Sequence, residues 1–84
     1  MQLILHYQVA DYDSFRRAFD AAAEERGRHG LSLLQLWRED SGSAWALFTV
    51  TDAKAAKEWL GGNAQVFNSL ASVASAKAHF VETA

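Results

Sequence analysis

Segment 9–31, VADYDSFRRAFDAAAEERGRHGL, most restricts what this chain can fold into. It carries a strand end, a helix start, an amphipathic helix and the turn into a further strand. Asp11 and Asp13 place carboxylates where a helix begins, and unpaired N–H groups and the helix dipole favour negative charge there. Tyr12, Phe15, Phe19, Ala22 and Arg26 recur at steps of three and four, and Ala18 and Ala23 widen the stripe. That spacing predicts one buried face. Arg16, Arg17, Asp20 and Glu24 point the other way, and Arg16 with Asp20 makes an i,i+4 pair worth ~0.3 kcal/mol. Gly27 or Gly30 is expected to stop the helix.

The flanking segments supply strands and a second helix. Residues 3–9 alternate as a strand, with Leu3, Leu5, Tyr7 and Val9 on one face and Gln2, Ile4, His6 and Gln8 on the other. Residues 31–39 form a second strand, with Leu31, Leu33 and Trp37 opposite Leu34 and Leu36. The small polar run 40–43 is a hairpin turn in which Gly42 is free to take positive φ. Residues 44–51 form a third strand, Trp45 and Leu47 facing away from Ala46, Phe48 and Val50. Asp52 caps a helix whose stripe is Ala55, Ala56, Trp59 and Leu60. Gly61, Gly62 and Asn63 break it, and Val66, Phe67 and Leu70 mark a short further helical piece. Residues 75–81 form a fourth strand, with Ala76, Ala78 and Phe80 opposite Lys77, His79 and Val81.

The order β-α-β-β-α-β, with right-handed crossovers, predicts one α+β domain over residues 1–84. Its expected form is ferredoxin-like, a four-stranded antiparallel sheet of order 4-1-3-2 with helices on one face. Two helical segments cover only one side, yet the second and third strands are apolar on both. Half of the residues are hydrophobic, more than so short a chain can hide. Leaving large side chains in water forgoes roughly 1.5–3 kcal/mol each. A homodimer joined through the open sheet face is therefore expected.

Composition narrows the function classes. There is no cysteine, which removes disulfides, iron–sulfur clusters and thiol nucleophiles. Eight basic against ten acidic residues give no electrostatic footprint for nucleic acid or an acidic membrane. The opening MQLIL lacks the pattern of a signal segment, and no apolar run approaches the ~20 residues of a membrane span. A cytoplasmic location is the expectation. The ribonucleoprotein-type motif that the same topology carries in RNA-binding domains is missing from SAWALFTV in the third strand.

One resemblance is specific. Val9-Ala10-Asp11-Tyr12-Asp13-Ser14-Phe15, then Phe19-Asp20, then Arg26 with Gly30-Leu31, resembles the V-x-D-Y-D-x-W…F-D…R-x₃-G-[IL] run of small dimeric α+β-barrel proteins, among them the antibiotic biosynthesis monooxygenase-like proteins. Phe15 stands where that run usually has tryptophan. The resemblance implies two sheets forming a barrel with helices outside, and a ligand cavity between sheet and helices in each subunit. It transfers no catalytic residue.

The candidate chemistry is sparse. His6, Tyr7 and His79 are the catalytic candidates, the two histidines as an acid–base pair if register brings them to one face. Alternatively, each histidine is an ordinary half-buried strand residue. Trp59, Trp37, Trp45 and Phe67 are the candidates for lining a ligand pocket, or else core and interface residues. Gly61 and Gly62 after Trp59 suggest a movable loop. No metal site is expected, since two histidines without a placed carboxylate fall short of three ligands, and no cofactor motif is present. Two readings follow. One is a protein that binds a small apolar or aromatic molecule. The other is a cofactor-independent monooxygenase or isomerase acting on an aromatic, polyketide-like substrate.

Overall fold

The computed structural model describes residues 1–84, apart from the side chains of Asn63 and Val66, so the reading of Val66 on a helical stripe lies outside the described residues. The elements are β1 (Gln2–Val9), α1 (Tyr12–Ala21), α2 (Ala23–Arg28), β2 (Leu31–Asp40), β3 (Ser43–Val50), α3 (Ala53–Gly61), α4 (Asn63–Leu70) and β4 (Val73–Val81). The sheet order is β2-β3-β1-β4, all neighbours antiparallel. This is the 4-1-3-2 order read from the other edge.

The helices α1 and α3 each begin where an aspartate side chain holds free N–H groups. Asp11 accepts from the N–H of Asp13 at 3.0 Å and of Ser14 at 3.4 Å, and the Ser14 hydroxyl donates to its other oxygen at 3.0 Å. The Ser14 contacts come first among the causes holding the Asp11 carboxyl below its ordinary range. Asp52 does the same for α3, accepting from Ala55 N–H at 3.0 Å. Arg16 pairs with Asp20 at 3.1 Å on the solvent side of α1, as its spacing requires.

The expected single helix is broken at Ala22, whose φ of −90° and ψ of 3° interrupt the helical run. Phe15, Phe19 and Arg26 are buried and Ala22 is half-buried, but Ala23 is exposed and does not widen the stripe as expected.

On the helix side of the sheet, Leu3, Leu5, Tyr7 and Val9 of β1 lie beside Ala44, Ala46 and Phe48 of β3. Tyr7 meets Phe15 at 4.9 Å, Phe19 at 6.3 Å and Phe67 at 6.1 Å between ring centres, and these four rings form the middle of the core. Ala44 and Ala46 are small, which leaves room on the sheet for aromatic rings from α1 and α4.

β2 departs from simple alternation. Its register against β3 shifts between Leu33 and Gln35 and again between Arg38 and Asp40. A shift of one residue turns the following side chains to the opposite face. Leu36 therefore pairs with Ala46 on the helix side, while Trp37 pairs with Trp45 on the outer side. This reverses the expected placement of Leu36 and Trp37. Gly42 does not use positive φ either. Its N–H is taken by the Asp40 carboxylate at 2.8 Å and its carbonyl accepts from Val9 N–H at 2.8 Å.

Positive φ is used instead at Gly30, at 78°. Its carbonyl accepts from Thr51 N–H at 2.9 Å, tying the start of β2 to the end of β3. A Cβ on Gly30 would lie 2.8 Å from the Asp52 backbone nitrogen and 2.9 Å from the Asp52 Cβ. Gly30→Ala is expected to cost at least about 1–3 kcal/mol from backbone strain, lowering the thermal midpoint by about 4 °C or more. A midpoint unchanged in differential scanning calorimetry would contradict this account of the turn.

Candidate functional site

Strand parity separates the candidate residues before any site is considered. Odd positions of β1 face the helices and even positions face away. In β4, Ala76, Ala78 and Phe80 pair with Tyr7, Leu5 and Leu3, so they too face the helices. His6 pairs with Lys77 and Ile4 with His79, which puts both histidines on the outer face, offset diagonally by two residues.

A cleft of about 120 Å³ lies between the helix side of the sheet and α3–α4. Leu5 and Tyr7 from β1 and Ala76 and Ala78 from β4 form its floor. Trp59 and Leu60 from α3, with Ala64, Gln65 and Asn68 from α4, form the opposite wall. The two alanines are exposed although they face inward, so the cleft opens along the β4 edge. Its lining is apolar and aromatic, with Gln65 and Asn68 as the amide-bearing members. That combination of apolar walls and a few polar groups is what small-molecule sites generally show.

Trp59 is held in place from α2. Its indole N–H donates to the Glu25 carboxylate at 3.2 Å, leaving the buried ring as a fixed wall. Tyr7 is 2% exposed, and burial pushes its phenol well above the ordinary tyrosine range, with Arg26 opposing the shift. Chemically, the cleft is able to hold a flat apolar ring and to offer it hydrogen bonds.

Of the expected site residues, the structure brings Tyr7 and Trp59 together in this cleft. Phe67 stands behind Tyr7 in the aromatic core. Trp37 and Trp45 do not reach the cleft, since they are paired on the outer face. There His6 stacks on Trp45 at 3.8 Å between ring centres, and its Nε2 lies 3.3 Å from the Gln8 side-chain amide. His6 and His79 therefore share a face but not the cleft. Among the described residues no group of three His, Cys, Asp or Glu side chains is arranged to hold a metal ion. Gln65 and Asn68 were not singled out from the sequence. Their only signal is position, one residue and four residues after Ala64 on the short helix.

Sheet order and helix placement define an α+β protein of ferredoxin-like type. Among solved structures, the chain is similar to SnoaB, a cofactor-independent oxygenase from Streptomyces nogalater, with a TM-score of 0.69 and 18% identity over 99% of this chain and 92% of SnoaB. A structure of a SnoaB single-substitution mutant gives a TM-score of 0.62 and 18% identity, covering 99% of this chain and 93% of that one. No family model matches the sequence, and no curated protein matches it closely enough to count as a relative. At this identity the likeness is one of fold.

Proposed function

We propose that this protein binds a small aromatic molecule, about one ring in size, in the cleft between β1–β4 and α3–α4. The observation that carries the reading is the cleft itself, floored by Leu5, Tyr7, Ala76 and Ala78 and walled by Trp59. An apolar cavity of about 150 Å³ takes benzene, so the cleft suits a single ring whose substituents extend through the open edge. Nitrobenzene, which quenches indole emission, is the probe of choice. In a Trp37→Phe/Trp45→Phe background Trp59 is the remaining tryptophan of the three. Saturable quenching is expected, and Ala78→Phe should weaken it at least about tenfold, equivalent to ~1.4 kcal/mol, with an unchanged far-ultraviolet spectrum. Purely linear, non-saturating quenching would overturn the reading.

A second reading is that the cleft performs cofactor-independent oxygenation or isomerisation of such a ring. Its support is the fold shared with SnoaB together with the Tyr7, Gln65 and Asn68 side chains that line the cleft. Oxygen uptake by the pure protein with a bound phenolic ring, and no added metal or flavin, distinguishes catalysis from binding.

We further propose that the working form is a homodimer joined through the outer sheet face. Phe48 is buried beneath the helices, and Leu36 and Val50 pack against the same core, so these residues are not free for an interface. The outer face nevertheless carries Ile4, Trp45 and Leu47, each half-buried, and Trp37, 47% exposed. Leu34 at the β2 irregularity is 51% exposed. Covering several such side chains gains roughly 1.5–3 kcal/mol each, and a second copy presents the same apolar face. Light scattering at micromolar concentration should give twice the 9.3 kDa chain mass, and Trp37→Glu should return it to one. A parent protein already at one chain mass would exclude the dimer.

A further inference from the structure

The outer sheet face carries two rows of side chains that run across all four strands. In the first, Trp37 of β2, Trp45 of β3, His6 of β1 and Lys77 of β4 are neighbours in register. In the second, Gln35, Leu47, Ile4 and His79 follow in the same strand order. Trp37 and Lys77 are exposed, while Trp45 and His6 are half-buried. His6 lies flat against Trp45, with ring centres 3.8 Å apart and planes 6° from parallel. The two halves of the face differ in charge. The β4 side holds Lys77, His79 and, one strand in, His6. On the β2 side, Glu39 accepts the Trp45 indole N–H at 2.7 Å, and Asp40 follows it at the hairpin.

This distribution limits how a second copy can be seated. When two sheets pack face to face with their strands aligned, the twofold axis lies between them, either across the strands or along them. An axis across the strands sets each edge on its own copy. Lys77 and the histidines then meet basic groups at one edge, and Glu39 meets carboxylates at the other, so like charges repel at both. An axis along the strands reverses the row order instead. The aromatic β2 edge then lies on the basic β4 edge, where an ammonium gains from the face of an indole ring.

Resting on the homodimer reading, we propose that the axis runs along the strands between β1 and β3, so that the β2 edge of each copy covers the β4 edge of the other. Trp37 is then seated on the partner subunit's Lys77, and Gln35 on the partner subunit's His79. Between them Leu47 meets the partner's Ile4, and the His6–Trp45 stack faces its own copy across the axis. The partner's Lys77 also arrives two residues from Glu39, where the charges are opposite. Burial of apolar area drives the association, and the placement of Lys77 against Trp37 and Glu39 selects its orientation.

Because the chain has no cysteine, introduced thiols report the axis directly. Gln35 and His79 are exposed and stand at opposite edges of one face, roughly 14 Å apart at ~4.8 Å per strand. In Gln35→Cys/His79→Cys, a short bismaleimide should give a covalent dimer whose linked peptides join position 35 to position 79. Neither single variant should give one, and a covalent dimer from either alone would set like edges together and overturn the proposal. Lys77→Glu is a second reading that does not depend on linker reach. It sets a carboxylate against Trp37 and Glu39, so dimer affinity in sedimentation should fall at least tenfold with an unchanged far-ultraviolet spectrum. With like edges paired, the same change exchanges one like-charge contact for another, so an unchanged affinity would also overturn the proposal. A parent protein at twice the chain mass without the 35–79 link would overturn this inference alone. A parent at one chain mass would overturn the homodimer reading with it.

Discussion

The contact between Tyr7 on β1 and the phenylalanines of α1 and α4 holds the rest of the structure in place. Phe15, Phe19 and Phe67 surround the Tyr7 ring at 4.9–6.3 Å, and each buried aromatic contributes a large apolar area to the core. Their rings fit because β3 offers Ala44 and Ala46 beneath them. β4 also offers alanines, Ala76 and Ala78, and the space between them and Trp59 is the cleft. The same small-residue device thus yields a packed core on one side of β1 and an open cleft on the other.

Much of this architecture can be read from residue spacing. The Phe15–Phe19–Arg26 stripe, the Asp11 and Asp52 caps and the parity of β1, β3 and β4 all follow from local rules, and the sheet order follows from chain connectivity. The β2 irregularity does not. The run LSLLQLW is apolar in both phases, so hydrophobic alternation sets no register, and a bulge decides that Leu36 points inward and Trp37 outward. The Ala22 break is hidden for a related reason, since three consecutive alanines carry no signal of a helix end.

The candidate site was half legible. His6 and Tyr7 are adjacent in a strand, so they must face opposite sides of the sheet. Choosing between them requires knowing which face the helices cover. That same fact separates Trp59 from Trp37 and Trp45. Such choices are made by tertiary packing and leave no mark in spacing. The likeness to SnoaB adds the fold and stops there, because one fold supports many chemistries and function resides in the particular side chains of a site.

The proposed place for a bound ring is the helix side of the sheet, at the β4 edge, rather than the outer aromatic face. Nuclear Overhauser effects between the protons of a bound aromatic probe and the protein test it most directly. Contacts to the methyl groups of Ala76 and Ala78 and to the Trp59 indole are expected. Contacts confined to Trp37, Trp45 and His6 would contradict it.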